Sequence, residues 1–92
     1  MITAIVLISA DVNRIPEVAQ QLVELDGVTE VYSVTGSCDL IAMVRVARHE
    51  ELADVIADRI NKVEGVTETD THIAFRTYSS TDLEAAFAIG LD

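Results

Sequence analysis

Residues 34–46 read VTGSCDLIAMVRV, and this stretch decides how the rest of the chain is organised. A turn at Gly36-Ser37 and an acid at Asp39 lead into a strand that is apolar nearly without interruption. Side chains alternate across a strand, so Leu40, Ala42, Val44 and Val46 point to one face, and Ile41 and Met43 to the other. A small domain cannot easily cover both faces of a sheet from its own chain. A second subunit is therefore expected on one face. Residues 36–39, at the rim of the sheet, are the expected seat of any ligand chemistry.

The flanking segments build the sheet outward. ITAIVLISA, residues 2–10, is a β-branched run with Ile2, Ala4, Val6 and Ile8 on one face and Ile5 and Leu7 on the other. Asn13 is a candidate N-cap, with Pro16 in the first turn, where its missing N–H costs little. The helix that follows runs to about Asp26 on a stripe of Ile15, Val18, Ala19, Leu22 and Leu25. Gly27 supplies a left-handed stop. Residues 28–35 form a second, more polar strand, and Gly36-Ser37 fits a two-residue hairpin turn with glycine first. Strand three spans about residues 38–47. A helix over residues 49–64 buries Leu52, Ala53, Ile56, Ile60 and Val63, and Gly65 ends it. Strand four covers residues 66–78. Thr81 with Glu84 makes a capping-box pattern, and Leu83, Phe87 and Leu91 form one face of a terminal helix. The domain thus covers residues 1–78, and residues 79–92 are a C-terminal helical extension.

The chain repeats itself. Leu25-Asp26-Gly27-Val28-Thr29-Glu30 is echoed by Val63-Glu64-Gly65-Val66-Thr67-Glu68, 38 positions later. The same offset pairs Val18 with Ile56, Leu22 with Ile60 and Val6 with Val44. Two βαβ halves in tandem give an α+β fold, the ferredoxin-like βαββαβ plait. Right-handed crossovers then set an antiparallel four-stranded sheet in the order 4-1-3-2, with both helices on one face. The other face exposes an apolar patch that soluble monomers rarely tolerate. At ~25 cal/mol/Å², covering it is worth several kcal/mol before association costs. Homodimerisation through the sheet face is the expected solution, and the bland alternative is that residues 80–92 fold back over the sheet.

Composition narrows the function. The 92 residues allow one domain, and half of them are apolar. Sixteen acids stand against six bases, a net charge of −10, and the basic residues form no run. Such a field repels phosphate and anionic lipid, so direct nucleic-acid binding and membrane association are not expected. Cys38 is the single cysteine, which excludes an internal disulfide and favours a reducing, cytoplasmic setting. Met1 leads directly into a strand without a signal-peptide pattern, and no apolar run approaches the ~20 residues that span a bilayer.

No catalytic constellation emerges. No histidine stands near Cys38, and an adjacent carboxylate does not activate a thiol. Two histidines and one cysteine lack metal-site spacing, so neither metal nor cofactor is expected. A binding role fits better. A free amino acid needs a carboxylate for its ammonium and several donors for its own carboxylate. Asp39 can supply the first, and backbone N–H groups around Gly36 and Ser37 the second. Thr69 and Thr71 add hydroxyls on one face of strand four. The bland readings are that Asp39 caps the hairpin's own amides, and that the threonines reflect ordinary β-propensity. The competing reading is a small dimeric α/β-barrel-type enzyme, monooxygenase- or isomerase-like, with His72 or Tyr78 pointing into a polar pocket.

These residues also carry a resemblance. Residues 30–40, EVYSVTGSCDL, resemble the V-x-x-V-T-G-x-x-D-hydrophobic signature of the RAM domain, the effector-binding half of Lrp/AsnC transcription regulators. GVTETDTHI, residues 65–73, is similar to the family's G-V-x-x-T-x-T-x-I segment. The resemblance covers about residues 2–76. It implies a non-enzymatic module in which dimers form through the sheets and assemble into rings of eight or ten chains. It also implies that small effectors, usually amino acids, bind between dimers near the glycine loop. By motif match the implied positions are Gly36, Ser37, Cys38, Asp39, Thr69 and Thr71. The helix-turn-helix half of full-length members is not seen, so the chain resembles a stand-alone module. Transcriptional control would then run through a partner such as a full-length relative.

Overall fold

Four strands form one antiparallel sheet: β1 (Ile2–Ala10), β2 (Val28–Ser33), β3 (Leu40–Val46) and β4 (Val66–Ala74), in the order β2-β3-β1-β4. This is the expected order read from the other edge. The computed structural model describes residues 1–78 and residue 80. In the central pair Ile8 stands opposite Leu40, Val6 opposite Ala42 and Ala4 opposite Val44. All six are wholly buried under the helices. Their neighbours Ile5, Leu7, Ile41 and Met43 are half-buried on the open face. The alternation read from the sequence therefore holds in both central strands.

The first crossover starts earlier than its sequence indicates. Asp11, not Asn13, is the cap: its Oδ1 accepts from the Asn13 N–H at 3.0 Å. The chain then tightens into a 3-10 turn (Val12–Arg14), closed by Arg14 N–H donating to the Asp11 carbonyl at 2.9 Å. Helix α1 (Ile15–Val23) follows, with Pro16 in its first turn. Val18 and Leu22 are buried, and Ile15, Ala19 and Leu25 pack at the edge of the core. The helix ends short of Asp26 because two i→i+3 bonds, Leu25 to Leu22 and Val28 to Leu25, replace its last turn. Gly27, at φ +94°, turns the chain into β2. Its carbonyl accepts from Arg45 N–H, and the Gly65 carbonyl accepts from Asp11 N–H, both at 2.8 Å.

The second crossover is not one regular helix. Helix α2 (His49–Ala53) runs into a π-helical stretch (Asp54–Arg59) and a 3-10 turn (Ile60–Lys62). This changes which residues face the core. Ala53, expected inside, is exposed, whereas Val55, not expected there, is 3% exposed. Bonding from i to i+5 brings residues five apart onto one face, so Val55 and Ile60 are buried together. A Cβ at Gly27 would lie 2.9 Å from Val55 Cγ2, so only glycine lets the two segments approach this closely.

β4 ends at Ala74, four residues before the expected Tyr78. The reason lies in its partner. Ala74 already stands opposite Thr3, so little of β1 remains to receive further residues. Phe75 and Tyr78 are exposed. A bulge at Thr67 shifts the register between Ser9 and Ala10, and Thr67 Oγ1 donates to the Ser9 carbonyl at 3.0 Å. The expected capping box at Thr81 and Glu84, and the stripe of Leu83, Phe87 and Leu91, lie outside the described residues. Among the described residues no helix is long and apolar enough to cross a membrane.

Candidate functional site

The segment between β2 and β3 is wider than the two-residue turn its glycine indicates. β2 stops at Ser33 and β3 begins at Leu40. Val34 N–H donates to the Asp39 carbonyl at 3.0 Å, so four residues, 35–38, span the turn. Gly36 sits there at φ +118°, a conformation that side chains other than hydrogen rarely accept. Asp39 explains the widening. Its N–H donates to the Ile8 carbonyl at 2.9 Å, and its Oδ2 accepts from the Ala10 N–H at 2.9 Å. The residue is thus held by β1 on one side and by Val34 on the other. Asp39 does cap an amide, but one belonging to the neighbouring strand and not to the hairpin.

That anchorage hangs Ser37 and Cys38 over the open face of the sheet. Together with Leu7, Ser9, Glu68, Thr69 and Asp70 they line a cavity of about 400 Å³. Of the residues singled out in the sequence, Ser37, Cys38 and Thr69 line it. Gly36 and Asp39 shape the loop without lining the cavity. Thr71 is exposed, stands opposite Val6 in the register, and does not line it. Thr69 stands opposite Ile8, and its hydroxyl donates to Asn61 Oδ1 at 2.8 Å, on the helical side.

Four lining residues were not singled out in the sequence: Leu7, Ser9, Glu68 and Asp70. A signal for them existed. In T-E-T-D-T-H, residues 67–72, the threonines alternate with Glu68, Asp70 and His72. The register sets Glu68 opposite Ser9 and Asp70 opposite Leu7, which puts the two acids on the open face. The cavity therefore offers carboxylates along β4, with hydroxyls from Ser9 and Ser37 across from them. His72 Nε2 lies 3.3 Å from Asp70 Oδ2 on the same strand. Neither His72 nor Tyr78 lines this cavity, so the pocket that an enzyme reading requires of them is not formed here.

Across the sheet, Tyr32 donates its hydroxyl to Glu30 Oε2 at 2.6 Å. That bond and the charge of Glu30 raise the Tyr32 phenol above its ordinary value, with Arg45 opposing. No group of three or more His, Cys, Asp and Glu side chains that could hold a metal ion occurs among the described residues.

A model of the Lrp/AsnC ligand binding domain matches residues 3–83. The chain belongs to this family. Solved structures share the fold. The crystal structure of TTHA0845 from Thermus thermophilus is 49% identical, with a TM-score of 0.81, over 86% of this chain and 99% of that one. A feast or famine regulatory protein of Mycobacterium tuberculosis, complexed with L-methionine, is 28% identical with a TM-score of 0.72, over 87% of this chain and 54% of that one. Among relatives, an HTH-type transcriptional regulator of Pyrococcus furiosus, FL11, is 34% identical over 80 residues, 87% of this chain and 52% of the relative. The chain spans about half the length of the curated relatives it matches. The matching half is the ligand-binding one.

Proposed function

We propose that this Lrp/AsnC domain is a non-enzymatic sensor of a small amino-acid effector and serves transcriptional regulation through its partners. The observation that carries this reading is the meeting of the two family-like motifs. The 36–39 loop and β4 come from distant parts of the chain, yet both line a single cavity. Its chemistry suits a zwitterion. Glu68 and Asp70 can receive an ammonium group. The hydroxyls of Ser9 and Ser37, with loop N–H groups, can donate to a carboxylate. Leu7 offers the apolar contact that a side chain needs. The L-methionine complex of the mycobacterial protein supports the ligand class.

Asp39 keeps a role here as the anchor of the loop and as a negative charge behind it; Gly36 and Thr71 are assigned to the surroundings of the effector. The cavity is open at the sheet face, and a homodimer that pairs two open faces, assembled further into an octamer or decamer, would close it. A full-length Lrp/AsnC relative is the proposed route to DNA.

The test is calorimetry of the cytoplasmically expressed protein against all twenty amino acids at millimolar concentration. At least one should bind, and substituting Ser37→Val together with Asp70→Asn should remove that binding while the chain remains folded. Silence from all twenty removes the sensing role.

A further inference from the structure

A second cavity, of about 360 Å³, lies at the opposite end of β1 and β3, where Met1, Gly27 and the end of β3 meet the π-helical stretch. Three carboxylates, Asp26, Glu51 and Asp54, and two arginines, Arg45 and Arg59, line it. The ion pairs among the described residues are Arg48–Glu51 and His72–Asp70. Glu51 closes on Arg48 outside the lining, whereas Asp26, Asp54, Arg45 and Arg59 enter no ion pair among the described residues, in a chain where acids outnumber bases 16 to 6. Arg59 makes one long contact, Nη1 to the Asp26 carbonyl at 3.4 Å, which engages one of the five donors of its guanidinium.

The π-helical geometry is what sets this up. Asp54 and Arg59 are five residues apart. In an α-helix that spacing would turn them about 140° away from each other. With i→i+5 bonding they share a face, and both line the cavity. The wall is firm behind them. Gly27, at φ +94°, admits Val55 to a distance that any side chain would block, and its carbonyl is tied to Arg45 N–H at 2.8 Å. Such π-helical insertions recur at functional sites.

We infer that this cavity is a second small-molecule site, for a compact zwitterion such as a free amino acid, with its carboxylate on Arg59 and its ammonium on Asp54 and Asp26. The field of a −10 chain repels a bare anion, and a bare cation has acidic surface to choose from everywhere. A molecule carrying both charges satisfies both walls and leaves the net charge unchanged. The inference does not rest on the glycine-loop cavity, because it uses different residues at the other end of the sheet.

Amide NMR of the perdeuterated full chain, titrated with each of the twenty amino acids at millimolar concentration, tests it. Signals of Gly27 and of residues 54–59 should move with at least one of them. Arg59→Gln should weaken that response about tenfold or more, since it removes a charge-assisted contact. Asp54→Asn should weaken it too, and the methyl ester of the same amino acid should fail to bind. Movement confined to residues 37–38 and 68–70 would uphold the proposed function and overturn this site. Movement confined to Gly27 and residues 54–59 would do the reverse. An unchanged response in Arg59→Gln, or no movement near the π-helical stretch with any amino acid, overturns the inference.

Discussion

Asp39 Oδ2 accepts the N–H of Ala10 at 2.9 Å, across 29 residues of chain. A carboxylate in the turn that frames the cavity is thereby tied to the end of a central strand. Replacing Asp39 with alanine leaves a part-buried N–H without its charged acceptor, at a cost of about 1.5–3 kcal/mol. Asparagine keeps an acceptor oxygen in place. Asp39→Ala should therefore lose stability in urea unfolding, and Asp39→Asn should recover most of it. If effector affinity recovers with Asn as well, the residue acts by shaping the loop. If affinity stays low while stability returns, its charge reaches the ligand.

Gly65 and Gly36 both sit at positive φ, +103° and +118°, but their surroundings differ. A Cβ at Gly65 would come within 2.7 Å of Val18 Cγ2 in the core, whereas one at Gly36 meets nothing within 4 Å. Gly36→Ala should cost only backbone strain, about 1–2 kcal/mol. Gly65→Ala adds overpacking of about 1–3 kcal/mol to a similar strain. Equal midpoints for the two variants in chemical denaturation would contradict this packing account.

The open face offers a direct assay of assembly. Ile41 and Met43 are half-buried there in the single chain, and their side chains do not support the helix-facing core. If the proposed homodimer pairs the open faces, Met43→Glu should leave the circular dichroism of the chain unchanged while reducing its sedimentation coefficient to that of a 10.0 kDa particle. A variant that sediments as the unsubstituted protein does would rule out pairing through this face.

Tyr32 gives a pH-dependent readout. Its phenol is raised by the hydrogen bond to Glu30 and by that residue's charge. A raised acid favours the folded state while the phenol is neutral. That contribution is fully present below the ordinary tyrosine pKa of about 10 and is lost as pH climbs through the higher folded value. Ultraviolet titration of a Tyr78→Phe background should place Tyr32 above free tyrosine. Glu30→Gln should bring it down. An unchanged titration in Glu30→Gln would mean that the hydrogen bond does not set it.

The fold was legible in the sequence because its signals were redundant. The 38-residue echo, the two-faced apolar strands and the paired stop glycines Gly27 and Gly65 all point to one plait. The misreadings occur where one segment depends on another. Asp11 displaced Asn13 as a cap because the chain tightens before Asn13 is reached. Val55 displaced Ala53 because a π-helical stretch has no periodic signature. β4 stopped at Ala74 because β1 begins at Ile2, which is a fact about its partner. At the cavity, the loop residues Ser37 and Cys38 were legible as a local motif. Glu68 and Asp70 needed the strand register, which the Thr67 bulge and the pairing with β1 supply together.

Leu7 belongs to two surfaces at once. It lines the cavity under the 36–39 loop, and it stands in the half-buried apolar row of the open face. A guest in the cavity and a protein seated on that row would touch the same side chain. Were the proposed binding and assembly coupled through it, linkage would make the influence mutual, each changing the other by the same factor. Under the proposed function, one leucine in the middle of the sheet would couple ligand occupancy to pairing of the open faces.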